Sequence, residues 1–231
     1  MKQNMEIQNR IAALRDFMSQ CGISAFIAPS TDPHSGEYVP AHWESRKWLS
    51  GFTGSAGTVV VTKDNAGLWT DSRYFIQAEE QLEGTGIQLF KDRLPETPSI
   101  SEWLGSILSK GEKVGIDGWV NSMQEASGLR KELQTYGLEL TLVEDPFQYI
   151  WNDRPTLPQT PVFIHGLKYA EVSCCDKINK INVVMVTHPN NLAFVALKHF
   201  ELQINFIGNV NKYFRYKINT CCWIHIQSTG Q

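Results

Sequence analysis

Between residues 87 and 143 the chain changes hydrophobic period four times, and that alternation restricts its architecture more than any other feature. "IQLFKD" and "KVGID" read as short strands, and "LELTLV" as a third. Between them, "SISEWLGSILSK" and "SMQEASGLRKELQTY" repeat their apolar residues at helical spacing. Strands and helices in strict turn predict an α/β layer structure. The first half of the chain adds to this. Ile7, Ile11, Leu14 and Met18 recur on one helical face, with Asn4 as the expected cap and Gly22 as the stop. "ISAFIA" (23–28) is almost wholly apolar and closed by Pro29, which suits a strand covered on both faces. "TVVVTK" and "GLWT" flank "DNAG", a hairpin signature. The antiparallel hairpin makes the expected sheet mixed. Asp71 and Ser72 are predicted to cap a helix through "YFIQAEEQL". The fold class is therefore α/β, a mixed β-sheet flanked by helices.

The organisation changes after this region. "NDRPTLPQTPVFIHG" holds three prolines and reads as a linker, closing a domain over residues 1–152. Residues 153–181 then form the linker and the start of a second domain. Residues 182–231 hold one acidic residue (Glu201), four basic ones and seven asparagines, whereas the remaining 23 acidic and 17 basic residues lie before them. No sustained period runs through this tail. The break predicts a foreign or out-of-frame tail, the alternative being a poorly patterned extension.

Bulk properties exclude several functions. A net charge of −3 with no Lys/Arg cluster offers nothing to a nucleic-acid backbone. No apolar run approaches the roughly 18 residues of a membrane span, and the polar N-terminus lacks an export signal. Five cysteines, four of them in adjacent pairs, fit neither a disulfide framework nor a C-x-x-C site, which predicts a reduced, cytoplasmic setting.

"GFTGSAGTVVVT" (51–62) raises the question of a phosphate cradle. A G-x-x-x-x-G-K-[ST] loop needs a lysine and joins a strand to a helix, but here there is no lysine and the glycines precede a strand. Gly51, Gly54 and Gly57 recur by threes and miss the dinucleotide fingerprint as well. The remaining reading is a tight backbone bend that packs closely before "TVVV". The loop Asp32–Glu44 gathers Asp32, His34, Glu37, His42 and Glu44, yet their spacing matches no metal-ligand template. A polar loop of this length can instead line a cleft. Arg73 in "WTDSRYF" suits a carboxylate clamp or, more simply, a local ion pair. Residues 1–152 thus read as an α/β domain without an identifiable active site.

The D-P-H-x-x-E-Y loop (Asp32, Pro33, His34, Glu37, Tyr38), S-G-F-x-G-S-A-G (Ser50–Gly57) and W-T-D-x-R-Y (Trp69–Tyr74) occur in this order. Together they closely resemble the N-terminal domain of the aminopeptidase P family, Xaa-Pro aminopeptidases of the creatinase/prolidase superfamily. "WNDRPTLPQTPVFIH" and "KYAEVSCCDKINKI" resemble the passage from first to second domain in the longer, three-domain members. The resemblance covers about residues 1–181.

That resemblance implies a mixed sheet flanked by helices and a part in dimerisation. In the family, catalysis belongs to a later domain, where two Asp, one His and two Glu hold a divalent pair, usually manganese, whose bridging hydroxide attacks the bond before proline. After Asp176 this sequence holds one carboxylate side chain, Glu201. The expectation is therefore a non-catalytic first portion, truncated before the catalytic domain, with no catalytic or metal-ligating residue and no cofactor of its own. Xaa-Pro peptides would be substrates of the full-length enzyme. The competing expectation is a free-standing dimerisation or interaction domain. On either view Asp32, His34, Glu37, Tyr38, Trp43 and Arg73 are the positions expected at a cleft or subunit interface.

Overall fold

A computed structural model describes residues 2–161 and 166–187. Two compact units divide the chain, Met1–Pro158 and Gln159–Gln231. In the first, six strands form one sheet in the order β4-β3-β2-β1-β5-β6. They are β1 (Ala25–Pro29), β2 (Thr58–Thr62), β3 (Ala66–Thr70), β4 (Gln88–Lys91), β5 (Lys113–Asp117) and β6 (Glu139–Val143). β1 pairs antiparallel with β2, and β2 with β3, while the β1·β5, β3·β4 and β5·β6 pairs are parallel. The sheet is thus mixed, as the hairpin predicts. Thr62 closes that hairpin by exchanging hydrogen bonds with Asn65.

Alternation along the central strands sends side chains into two cores. Phe26, Val59, Val61 and Leu68 face one way, against Ile7, Ile11, Leu14 and Met18 of α1 (Lys2–Cys21), Leu49 of α2 (Ser45–Ser50), Ala78 and Leu82 of α3 (Phe75–Leu82), and Phe147 of α6 (Phe147–Ile150). Ile27, Val60, Trp69 and Ile116 face the other way, against Leu104 of α4 (Ile100–Ile107) and Leu133 of α5 (Met123–Thr135). Both faces of the sheet are covered, which is why "ISAFIA" carries no polar residue on its strand. Trp69 stacks on Phe90 at 4.1 Å and donates its indole N–H to the Pro98 carbonyl. Reciprocal capping boxes, Ser99 with Glu102 and Ser122 with Glu125, start α4 and α5.

Two expected caps are corrected. α1 begins before Asn4, whose side-chain amide donates to the Glu83 carbonyl at 3.0 Å. Helix α3 begins at Phe75 with Tyr74 in the cap position and no side-chain cap bond, so neither Asp71 nor Ser72 caps it. Asp71 instead receives the backbone N–H of Arg73. Gly22, in contrast, does end α1, with a left-handed φ of +65°.

The second unit contains α7 (Leu167–Ala170) and α8 (Cys174–Thr187). Ser173 accepts the backbone N–H of Asp176 and donates its hydroxyl to the Asp176 carboxylate, tying down the first turn of α8. The tail reading lies outside the described residues from position 188 onward. Among the described residues no helix is long and apolar enough to cross a membrane.

Candidate functional site

The glycine stretch is organised by a cation. Arg46, on α2, is 5% exposed. Its Nε donates to Ser30 Oγ at 2.7 Å, and its two Nη groups donate to the carbonyls of Phe52 and Gly54. Ser30 Oγ in turn donates to the Gly57 carbonyl at 2.6 Å. A phosphate cradle presents N–H groups, whereas this loop presents carbonyl oxygens to a guanidinium, so its polarity is inverted. Burial pushes the Arg46 pKa down to about 10, opposed by Glu44 and Tyr74, and the side chain stays charged at neutral pH.

The close packing demands glycine. A Cβ on Gly54 would lie 2.3 Å from the Phe52 ring, and Gly51 ends α2 with a φ of +73°. Thr53 fastens the loop to α3, its N–H donating to Gln81 Oε1 at 2.8 Å.

A cleft of about 210 Å3 opens above this loop, lined among others by Glu37, Tyr38, Trp43, Glu44, Lys47 and Ser55. Three of the sequence-predicted positions, Glu37, Tyr38 and Trp43, stand in its wall. Tyr38 is 87% exposed, an unusual position for an aromatic ring with no packing to offset its hydration. Asp32 is buried and is not among the lining residues. Its Oδ1 accepts the backbone N–H groups of His34 and Gly36, an Asx-type turn that shapes the loop. His34 is not among the lining residues.

Arg73 also stands outside the lining. It pairs bidentately with Asp71, Nε to Oδ1 at 2.9 Å and Nη2 to Oδ2 at 2.7 Å. This hydrogen-bonded pairing holds the Asp71 carboxyl below the usual range. The neighbouring Tyr74 hydroxyl lies 2.6 Å from Ser55 Oγ, which joins the W-T-D-x-R-Y segment to the cleft wall and lowers the Tyr74 pKa.

A second buried charge cluster borders the same loop. Arg154 donates through Nη1 to Asp145 and through Nε to the His42 carbonyl at 2.9 Å, while its Nη2 is buried with no hydrogen-bond partner among the described residues. Asp145 Oδ1 accepts the N–H of Phe147 at the start of α6. Asp117, at the end of β5, accepts the N–H of Trp119. Burial pushes its carboxyl up to about 6, the Trp119 hydrogen bond opposes this, Asp145 adds to it and Arg154 offsets part.

A folded pKa above the ordinary 3.8 means that ionisation works against the fold. This penalty is absent below about pH 4, grows as pH rises and is complete above about pH 6. Asp117→Asn keeps an acceptor for Trp119 and removes the charge. It is expected to stabilise the chain by about 2 kcal/mol at pH 8, with the gain vanishing toward pH 4. Paired melting curves across that range check it.

The floor of the cleft escaped the sequence reading because Arg46 sits in "ESRKWLS", a short helical stretch with no signal of a buried cation. Only the placement of Ser30, Phe52 and Gly54 around it reveals a buried cation. Chemically, the cleft offers carboxylates, a lysine and two aromatic rings, a set suited to recognition. Among the described residues no group of three or more His, Cys, Asp or Glu is placed to hold a metal. Asp32 is committed to backbone N–H groups and Glu44 to Lys47 at 2.9 Å, so these residues do not fit a divalent pair.

A family model described as the Creatinase/Prolidase N-terminal domain matches residues 10–147. The chain is 36% identical over 209 residues to aminopeptidase P2 of Arabidopsis thaliana, covering 88% of this chain and 29% of that protein. It is 37% identical over 181 residues to Xaa-Pro aminopeptidase 2 of Rattus norvegicus, covering 78% and 26%. The chain thus spans about a third or less of the length of these curated relatives. A crystal structure of the X-prolyl aminopeptidase of Caenorhabditis elegans, described as a cytosolic enzyme with a di-nuclear active site, superposes with a TM-score of 0.70 at 30% identity, covering 79% of this chain and 31% of that one. An Xaa-Pro aminopeptidase structure from Streptococcus pyogenes shares the fold, with a TM-score of 0.50 at 23% identity over 65% of this chain and 99% of that one.

Proposed function

The chain belongs to the creatinase/prolidase N-terminal-domain family, in its aminopeptidase P branch, and on that premise we propose that it serves as the non-catalytic N-terminal portion of a metal-dependent Xaa-Pro aminopeptidase. The parent enzyme releases the N-terminal residue that precedes proline. Residues 1–152 are its first domain and 153–181 the passage toward its second. The divalent pair, manganese in this reading, is held by residues outside this chain, and the setting is cytoplasmic. In this role the domain associates with a second copy and presents Glu37, Tyr38, Trp43 and Arg73 toward a subunit interface or the mouth of a neighbouring catalytic site. Asp32 and His34 act by shaping the loop that carries them.

One observation carries the reading. The D-P-H-x-x-E-Y loop and the glycine stretch both line one cleft, and the W-T-D-x-R-Y segment is joined to its wall through Tyr74 and Ser55. An exposed tyrosine and a half-buried tryptophan in the cleft wall, with the solvent-facing Arg73 outside it, supply recognition in the absence of a nucleophile.

The test combines this chain with aminopeptidase P2 of Arabidopsis thaliana deleted of its matching segment. With manganese and an Xaa-Pro tripeptide, the chain alone is expected to release nothing, and the mixture is expected to regain hydrolysis. Arg73→Ala should lower the regained rate at least tenfold at unchanged melting temperature. Manganese-dependent release by the chain alone, or a mixture that stays silent although light scattering shows association, overturns the proposal.

A further inference from the structure

Rings and guanidinium groups form a continuous run from the first helix, through the segment where the chain leaves the sheet, to the cleft wall. Arg10 lies over Trp48 at 4.7 Å, and Trp48 stacks on Trp151 at 5.1 Å with an interplanar angle of 17°. Arg154 lies over Trp151 at 5.8 Å and over Trp43 at 5.2 Å. The exit segment and the 41–43 turn also clasp each other, each through a side chain on the other's backbone carbonyl. Arg154 Nε donates to the His42 carbonyl, and His42 Nδ1 lies 2.6 Å from the Pro155 carbonyl. A carbonyl only accepts, so Nδ1 carries the proton. Asp145 holds the guanidinium from behind.

We propose that Arg154 is a positioning residue for the cleft: through Asp145, the His42 carbonyl and the Trp43 ring, it sets where the Trp43 wall stands according to how the chain leaves the domain. The inference rests on the reading of the cleft as a contact surface. A planar guanidinium serves this coupling because it meets a carboxylate and a carbonyl in its plane while offering its faces to two rings. A movement of the 151–155 segment therefore either breaks the Arg154–His42 and His42–Pro155 contacts or carries the 41–43 turn with it. Its consequence is that the conformation of the 151–155 segment and the shape of the cleft are set together.

The test uses the full chain labelled with 5-fluorotryptophan, the Trp43 resonance being assigned by its loss in Trp43→Phe. Arg154→Met is expected to shift the Trp43 line and to raise amide exchange over residues 41–44 at least tenfold. Trp69 and Trp103, on the opposite face of the sheet, should not move. Arg154→Lys should shift Trp43 in the same sense, because a single ammonium cannot hold Asp145, the His42 carbonyl and both rings. A shift at Trp151 with Trp43 and its exchange unchanged overturns the proposal.

Exchange in the unsubstituted chain gives a second test independent of variant folding. The amides of Trp43, Glu44, Trp151 and Arg154 should open with one common constant, and constants differing more than tenfold overturn the coupling. A chain that shows the coupling yet fails to restore hydrolysis in the mixture refutes the contact-surface reading alone.

Discussion

Arg46→Met is expected to lower the melting temperature by about 8 °C and to release the loop 52–57 from the sheet. The magnitude comes from two opposed effects. Burial has pushed the guanidinium pKa from 12.5 to about 10, so replacing it with a neutral side chain recovers about 3 kcal/mol of desolvation. Against that, the substitution orphans the buried carbonyls of Phe52 and Gly54, at about 1–3 kcal/mol each, and loosens the stem packed over the Phe52 ring. Ser30 keeps its bond to Gly57 and contributes less. The net loss is about 2–3 kcal/mol, or several degrees for a unit of this size. Arg46→Lys should recover less than half of it, since one ammonium does not reach three acceptors arranged about a planar fork. Calorimetry of the three proteins reads the ordering, and a Lys variant that melts with the native protein would show that charge rather than geometry holds the loop.

The same contrast explains what was legible in the sequence. Strand and helix positions follow from periodicity because both sheet faces are covered, so apolar runs such as "ISAFIA" and helical stripes such as Ile7, Ile11, Leu14 and Met18 report burial directly. Local capping logic was less secure. Asn4 and Asp71 have the chemistry of caps, but Asn4 finds Glu83 across the fold and Asp71 finds Arg73 two residues on. A short polar side chain takes whichever donor or acceptor the tertiary structure brings near, and spacing along the chain does not encode that choice.

At the cleft, the long polar loop drew attention to Glu37, Tyr38 and Trp43, and all three line it. Asp32 and His34 came from the same argument, yet one is a turn organiser beneath the surface and the other is not among the lining residues. Rejection of the phosphate cradle was readable, because a missing lysine and the order of elements are properties of sequence. The loop's actual role was not, because it depends on the direction in which the Phe52 and Gly54 carbonyls point. Arg46 and Arg154 are surface-type residues by composition, and their burial is set by acceptors brought in from other segments.

Asp145→Asn is expected to have the largest effect of any single substitution at this site. Asparagine keeps an oxygen for the Phe147 N–H, so the start of α6 retains its bond. Its NH2 group, however, then stands where the second carboxylate oxygen was and turns a donor toward Arg154, which is already short of one partner at Nη2. Asp145 is 2% exposed and the Arg154 side chain 8%, so neither charge can turn to water for compensation. Breaking a buried pair from one side costs about 3–5 kcal/mol, which corresponds to a fall of about 10 °C here. The nearby Asp117 carboxylate supplies only part of the missing countercharge, through space and at a pKa of about 6. That remnant gives the experiment a signature in pH. Asp145 no longer raises the Asp117 pKa in Asp145→Asn, so the loss should deepen as pH falls from 6, where the native protein gains by protonating Asp117 and the variant does not. The double substitution Asp145→Asn with Arg154→Met removes both charges, and should regain about half of the loss, because an ion pair in the interior is worth little beyond an apolar replacement while a lone charge is costly. A double variant no more stable than Asp145→Asn would mean that Arg154 stabilises through its contacts with the His42 carbonyl and the two indole rings, and that the carboxylate serves mainly to place it.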